Sequence, residues 1–132
     1  MTLGVRAAAF DAKGRIFLVR HTYVPGWHLP GGGVEKGQTV FDTLEQELAE
    51  EGNLQLSGPA QLFNVYLNPT SHRDHIVLFI CRDVVQVRPH VPDWEIAATG
   101  FFAPDALPAC TTPATKRRLA ELSSQAEPAR RW

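Results

Sequence analysis

Residues 30–54 read PGGGVEKGQTVFDTLEQELAEEGNL, and this stretch decides the fold. Pro30-Gly31-Gly32-Gly33 holds the backbone on an unusual path or lets another group approach it closely. Beyond it Val40, Leu44 and Leu48 recur at four-residue steps and Phe41 widens the apolar stripe, so the spacing predicts a helix over residues 39–51. Thr39 is a natural N-cap, and Asp42 completes a capping-box-like pair with it. Gly52-Asn53 closes the helix, Asn being the usual second choice after Gly for the left-handed C-terminal position.

Glu47, Glu50 and Glu51 stand at i, i+3 and i+4, which puts their carboxylates on one helix face. Like charges there repel by about 0.2–0.5 kcal/mol per pair, and a divalent cation would reverse the sign of that cost. Mg²⁺ wants oxygen ligands, keeps several waters and takes one or two carboxylates plus substrate phosphate. An acid-rich helix face alone is more often merely solvated, and a glycine triplet alone is a weak signal. Their coupling is what points to chemistry: the loop brings backbone N–H and carbonyl groups beside the acidic face, where a metal-bound phosphate would sit.

Working outward, residues 3–10 and 15–20 read as strands joined by the turn Asp11-Ala12-Lys13-Gly14, a predicted hairpin. Further strands are expected near 61–67 and 75–87, joined by a polar turn over 68–74, with a last strand around 99–103. Thr112-Pro113 opens a C-terminal helix to about Ser123, Thr as N-cap and Pro in the first turn. Mixed strands with two well-separated helices make an α/β layered domain over residues 1–126, and 127–132 read as a loose tail.

At 132 residues the chain suits one domain, and 44% hydrophobic with 20% charged residues is an ordinary globular balance. A net charge of −1 argues against extended nucleic-acid contact or membrane binding through bulk electrostatics. Cys81, in an apolar run, reads as a buried structural thiol, and Cys110 carries no assignable role. With no signal peptide and no membrane span, a reducing cytoplasm is expected. Arg20, His21 and Arg73 are candidates to meet phosphates, Arg forks matching their oxygens, though each also reads as a surface residue. Tyr23, Trp27, Phe63, Tyr66 and Trp94 read either as base-stacking rings or as core. His72 and His75 have no zinc spacing.

Gly32 to Leu54 resembles the Nudix box, G-x5-E-x7-R-E-U-x-E-E-x-G-U with U a bulky aliphatic, at Gly32, Glu47, Leu48, Glu50, Glu51 and Leu54. The flanks Trp27-His28-Leu29-Pro30, Trp94-Glu95-Ile96 and Gly100-Phe101-Phe102 also look like this family. The resemblance implies a Nudix-like α/β/α sandwich with a mixed β-sheet. It also implies Mg²⁺-dependent hydrolysis, with Mn²⁺ as a substitute, of the pyrophosphate bond in a nucleoside diphosphate linked to another moiety. By resemblance Glu47, Glu50 and Glu51 bind the metal, the Gly31 carbonyl is a further ligand, and the general base is Glu47 or the late-loop Glu95. The partner implied is a small nucleotide-type substrate, and a homodimer is a common assembly among such proteins.

Gln38, Gln46 and Asn53 depart from the box, which has Glu, Arg and Gly there. Asn tolerates the left-handed conformation. Where the family commonly braces loop to helix with a Glu–Arg ion pair, two primary amides can pair through a neutral hydrogen bond, so a Gln38–Gln46 brace is expected. The same two residues keep open a catalytically impaired nucleotide-binding or regulatory module, which binds without turnover. An isomerase on the scaffold would leave the phosphate count unchanged.

Overall fold

The computed structural model describes residues 1–124 and 127–132. In chain order the elements are β1 (Thr2–Ala9), β2 (Ile16–His21), β3 (Trp27–His28), β4 (Gly31–Gly33), α1 (Val40–Gly52), β5 (Leu54–Gln55), β6 (Gln61–Leu67), β7 (Asp74–Cys81), β8 (Val85–Gln86), β9 (Ile96–Phe102) and α2 (Pro113–Ser123). A mixed sheet has the order β4-β1-β7-β6, with β1 and β7 parallel; β3-β2-β9 form an antiparallel sheet and β5-β8 a short ribbon.

The second halves of β1 and β7 bury both faces, which is why residues 7–9 and 76–81 run apolar. Alternate side chains serve two cores. Val5, Ala7, Ala9, Val77, Phe79 and Cys81 pack with Phe17, Val19 and with Leu44 and Leu48 of α1. Ala8, Leu78 and Ile80 point the other way, against Ile16, Leu18 and Tyr66, with Leu119 and Leu122 of α2 covering them. Each Leu or Phe so buried stabilises by on the order of 2 kcal/mol. The sheet thus lies between the two helices.

α1 starts as the sequence requires: Thr39 Oγ1 accepts from Asp42 N at 3.0 Å and Asp42 returns a carboxylate to Thr39 N at 2.9 Å. It ends at Asn53, whose φ of 55° is left-handed.

Three expectations need correction. The predicted β1–β2 hairpin reduces to one bridge, Phe10↔Ile16, because both edges of β1 are taken by β4 and β7 while β2 crosses to pair with β9. The tight turn itself forms, with Asp11 accepting from Arg15 N at 2.8 Å. The long strand over 75–87 is two strands, broken where Asp83 adopts φ 54°. Residues 127–132 are docked, not loose. Leu67 N donates to the Arg130 carbonyl at 2.8 Å, and Trp132 N to the Leu67 carbonyl at 3.0 Å. The Trp132 ring meets Tyr66 edge-on at 5.3 Å, hiding apolar surface that a free tail would expose.

Candidate active site

The acidic face of α1 meets the glycine strand. β4 runs antiparallel to β1 with Val5 opposite Gly32 and Arg6 opposite Gly31. A Cβ on Gly31 would overlap the Val5 carbonyl oxygen, and one on Gly32 would lie 2.5 Å from Glu47 Oε1. Gly31 therefore lets β4 close on β1, and Gly32 lets the Glu47 carboxylate reach the strand backbone. Gly31 N donates to Glu51 Oε2 at 3.2 Å.

Around this contact lies a cleft of ≈ 610 Å³. Of the residues singled out from sequence, it brings together Gly31, Gln46, Glu47, Glu50, Glu51, His21, Tyr23 and Glu95. Glu51 is 8% exposed, and burial first, then the neighbouring Glu47 charge, pushes its carboxyl up to about 8 against the opposing pull of Arg6. Burial and the Glu50 charge raise Glu47 as well. Burial lowers His21 and His28, and Arg6 adds to this, so both imidazoles favour the neutral form. Their rings are 5.8 Å apart, and His21 Nδ1 is buried without a hydrogen-bond partner.

Gln38 Nε2 donates to Gln46 Oε1 at 2.6 Å, and Gln46 Nε2 donates to Glu50 Oε1 at 2.9 Å. Gln38 Oε1 in turn accepts from Glu35 N at 3.1 Å and Thr43 Oγ1 at 3.0 Å. The two amides form one relay from the loop to the carboxylate of Glu50.

Glu95 comes from a separate loop. Asp93 fixes that loop by accepting from Glu95 N at 2.9 Å and Ile96 N at 2.7 Å. The loop is also tied to the segment after β2, since Thr22 N donates to the Glu95 carbonyl at 2.9 Å and Thr22 Oγ1 to the Trp94 carbonyl at 2.6 Å.

Other candidates lie elsewhere. Trp27 is turned into the core, edge-on to Phe102 at 5.1 Å, because β3 pairs with β2 and leaves the ring facing apolar neighbours. Arg20 sits over that ring at 5.7 Å and lines an adjoining space with His21 and Tyr23. Arg73 is exposed in the turn before β7; its carbonyl accepts from Thr2 N, at the start of β1 and short of the acids. Tyr66 is wholly buried and donates to Glu121 at 2.6 Å, so it cannot stack on a base. Phe63 packs on the second core, whereas Trp94 is 81% exposed.

Sequence reading missed Arg6, His28 and Glu35, all of which line the cleft. Arg6 was the findable one, a lone charge in the apolar run Val5-Arg6-Ala7-Ala8-Ala9. It donates to the Leu29 carbonyl at 3.0 Å and places a cation under the acids.

The donor set fits a hard divalent cation. Its side chains are carboxylates, two of them hard to ionise where they stand. Among the described residues no three His, Cys, Asp or Glu side chains form a ready-made cage.

The model of the NUDIX domain matches residues 1–122, and the chain belongs to this family of Nudix-type hydrolases. The expected α/β/α sandwich with a mixed sheet is the fold it shares with solved relatives. A putative 8-oxo-dGTP diphosphatase of Bacillus subtilis (strain 168) is 25% identical over 126 residues, 96% of this chain and 83% of that protein. The MutT Nudix hydrolase of Burkholderia pseudomallei superposes with TM-score 0.77 at 27% identity, covering 92% of this chain and 97% of the other. An ADP-ribose pyrophosphatase of Streptococcus suis gives TM-score 0.66 at 28% identity, covering 98% and 97%. Among the described residues no helix is long and apolar enough to cross a membrane.

Proposed function

We propose that this hydrolase cleaves the pyrophosphate bond of a nucleoside diphosphate linked to another moiety, using Mg²⁺. The observation that carries the reading is the convergence of Glu47, Glu50 and Glu51 with the Gly31–Gly32 backbone and Arg6 in one cleft. Glu47, Glu50 and Glu51 would hold the cation, with the Gly31 carbonyl as a further oxygen. A bound divalent cation supplies charge neutralisation at the phosphates and a more acidic water.

The chain's own groups do the rest. Arg6 presents a guanidinium to phosphate oxygens, a match of fork to oxygens. The Gln38–Gln46 relay fixes Glu50 to the loop, and Gly31 N–H fixes Glu51. Glu95 is exposed and comes from outside the helix cluster, so it is the carboxylate free to accept the proton of the attacking water. The neutral rings of His21 and His28, with Tyr23, offer ring faces and edges to the base, His28 and Tyr23 being inclined to His21 by 61° and 45°. Two free cysteines, Cys81 and Cys110, accord with a reducing cytoplasm.

The test is phosphate and pyrophosphate release from a panel of nucleoside di- and triphosphate derivatives with Mg²⁺ or Mn²⁺, run beside Glu50→Gln. Metal-dependent turnover lost in the variant supports the reading; equal traces in both proteins sink it. Replacing Glu95 by Gln is expected to lower kcat by roughly 10²–10⁴-fold with little change in KM, the size of general-base catalysis.

A further inference from the structure

Among the described residues the Glu95 carboxylate accepts no hydrogen bond and joins no ion pair, so its backbone sets where it points. Peptide groups are planar, and the direction of a side chain follows from the two that flank its Cα. Two residues hold both of those that flank Glu95. In the peptide before it, Thr22 Oγ1 donates to the Trp94 carbonyl at 2.6 Å and Glu95 N donates to Asp93 Oδ1 at 2.9 Å. In the peptide after it, Thr22 N donates to the Glu95 carbonyl at 2.9 Å and Ile96 N donates to Asp93 Oδ1 at 2.7 Å.

The sheet prepares this grip. β2 and β9 shift register where they approach the cleft: Arg20 faces Ala98 and His21 faces Ile96, which leaves Ala97 as an extra residue. An unshifted ladder would set Ile96 opposite Thr22, and the extra residue sets Glu95 there instead. Bulges beside active sites re-aim side chains in this way. Thr22 also stands between His21 and Tyr23, and both of these line the cleft with Glu95.

We infer that Thr22 is a positioning residue for the reaction, its hydroxyl and N–H together aiming the Glu95 carboxylate at the attacking water. The inference rests on the hydrolase reading above and on the role of Glu95 in it. Every residue except proline could supply the N–H, whereas the second bond needs a hydroxyl at this reach, which Thr or Ser provides. Without it the peptide before Glu95 keeps Asp93 alone and rocks about that bond. A general base works only within hydrogen-bond reach of the proton it takes, so a small tilt is felt in kcat.

The test measures kcat and KM on the full chain, with a nucleotide of the panel above that is turned over. The variants are Thr22→Val, Thr22→Ser, Glu95→Gln and the double variant Thr22→Val with Glu95→Gln. Valine keeps the shape and the N–H and removes the hydroxyl; Thr22→Ala removes the same hydroxyl, so one variant remains if the other unfolds. In Thr22→Val kcat is expected to fall about ten-fold with KM within about two-fold, the pattern of a misplaced catalytic group. Thr22→Ser should keep kcat within about two-fold of wild type, and in the Glu95→Gln background valine should change kcat by less than about two-fold. Wild-type kcat in Thr22→Val, a fall that serine shares, or equal falls with and without the Glu95 carboxylate each overturn the inference. So does wild-type kcat in Glu95→Gln, and all of these leave the hydrolase standing. A wild type that turns over no member of the panel removes the hydrolase reading and the inference with it.

Discussion

The two helices begin alike and end in opposite electrostatic states. Each is N-capped by a threonine, Thr39 or Thr112, whose hydroxyl accepts from the backbone N–H three residues on. Each buries a charge-bearing side chain: Glu51 in α1 is 8% exposed and Arg118 in α2 is 0% exposed. Around Arg118 everything is compensated. Glu121 pairs with it at 3.0 and 3.1 Å, the Arg131 carbonyl accepts at 3.2 Å, and the guanidinium carbon lies 4.3 and 5.0 Å from the ring centres of Tyr66 and Trp132. Only Arg118 Nε is too bent toward Glu121 for a hydrogen bond of its own. Around Glu51 stand further acids and one cation, Arg6. A buried charge that is paired is compensated within the fold; a buried carboxyl beside another acid keeps its proton instead.

The sharpest way to break this contrast is to substitute one member of each cluster. Glu50→Gln or Glu51→Gln should remove metal-dependent turnover by more than the roughly 10–100-fold that loss of an outer partner costs a metal site. Melting temperature should hold or rise. Turnover kept within ten-fold would make the acids a solvated face.

Arg118→Met should do the reverse. Removing one partner of a buried pair leaves Glu121 with neutral donors alone, Tyr66 Oη and Ala129 N, and costs about 3–5 kcal/mol. Denaturant unfolding should show that loss while kcat of the folded fraction stays near wild type. A drop in kcat at unchanged stability would mean that α2 acts on the site.

This asymmetry also explains what could be read from the chain. α1, its capping box, its Asn53 terminus and the acid spacing are local patterns, and a local pattern survives in one dimension. α2 was legible at both ends for the same reason, Thr112-Pro113 and Ser123 marking its limits. What failed was long-range. Nothing near residues 3–10 says that β1 pairs in parallel with β7 and not with β2. Trp132 looked like tail because its partners, Tyr66 and Arg118, lie far back in the chain. Arg6 and His28 escaped because the functional cue for each is the cleft that a parallel pairing and a two-residue strand create. Arg73 was named for its charge alone, and a charge without a position in space is a weak pointer.

The difference between the helices can be sharpened through pH. Glu51 is pushed to about 8 in the folded protein. Above its ordinary carboxylate range and below that value, the native state holds a proton that the unfolded chain has released. Stability then falls as pH rises, and Glu47 adds the same sign. The depressed imidazoles of His21 and His28 act oppositely, but only at and below their ordinary range. From about pH 7 to about pH 9 the metal-free protein should therefore lose melting temperature, by a few degrees on the scale of a domain this size. Glu51→Gln should flatten that slope, and saturating Mg²⁺ should reduce it. A slope the same in Glu51→Gln would place its source elsewhere.

The smallest effect concerns the amide relay that ties α1 to the loop before it. Gln38→Ala breaks the relay from Glu35 and Thr43 through Gln46 to Glu50. The bonds that Gln38 itself makes are exposed or half-buried and join neutral groups, so about 1 kcal/mol of stability is the expected loss. If the relay positions Glu50, Mg²⁺ affinity from titration should weaken about ten-fold, the lower end for an outer partner. Gln38→Glu combined with Gln46→Arg supplies a charged version of the same brace. It should restore affinity, with each single substitution weaker than the pair, a coupling that a double-mutant cycle isolates. Additive single effects, or unchanged affinity in Gln38→Ala, would reduce the relay to a surface contact. The acids of α1 would then be held by the glycine strand alone.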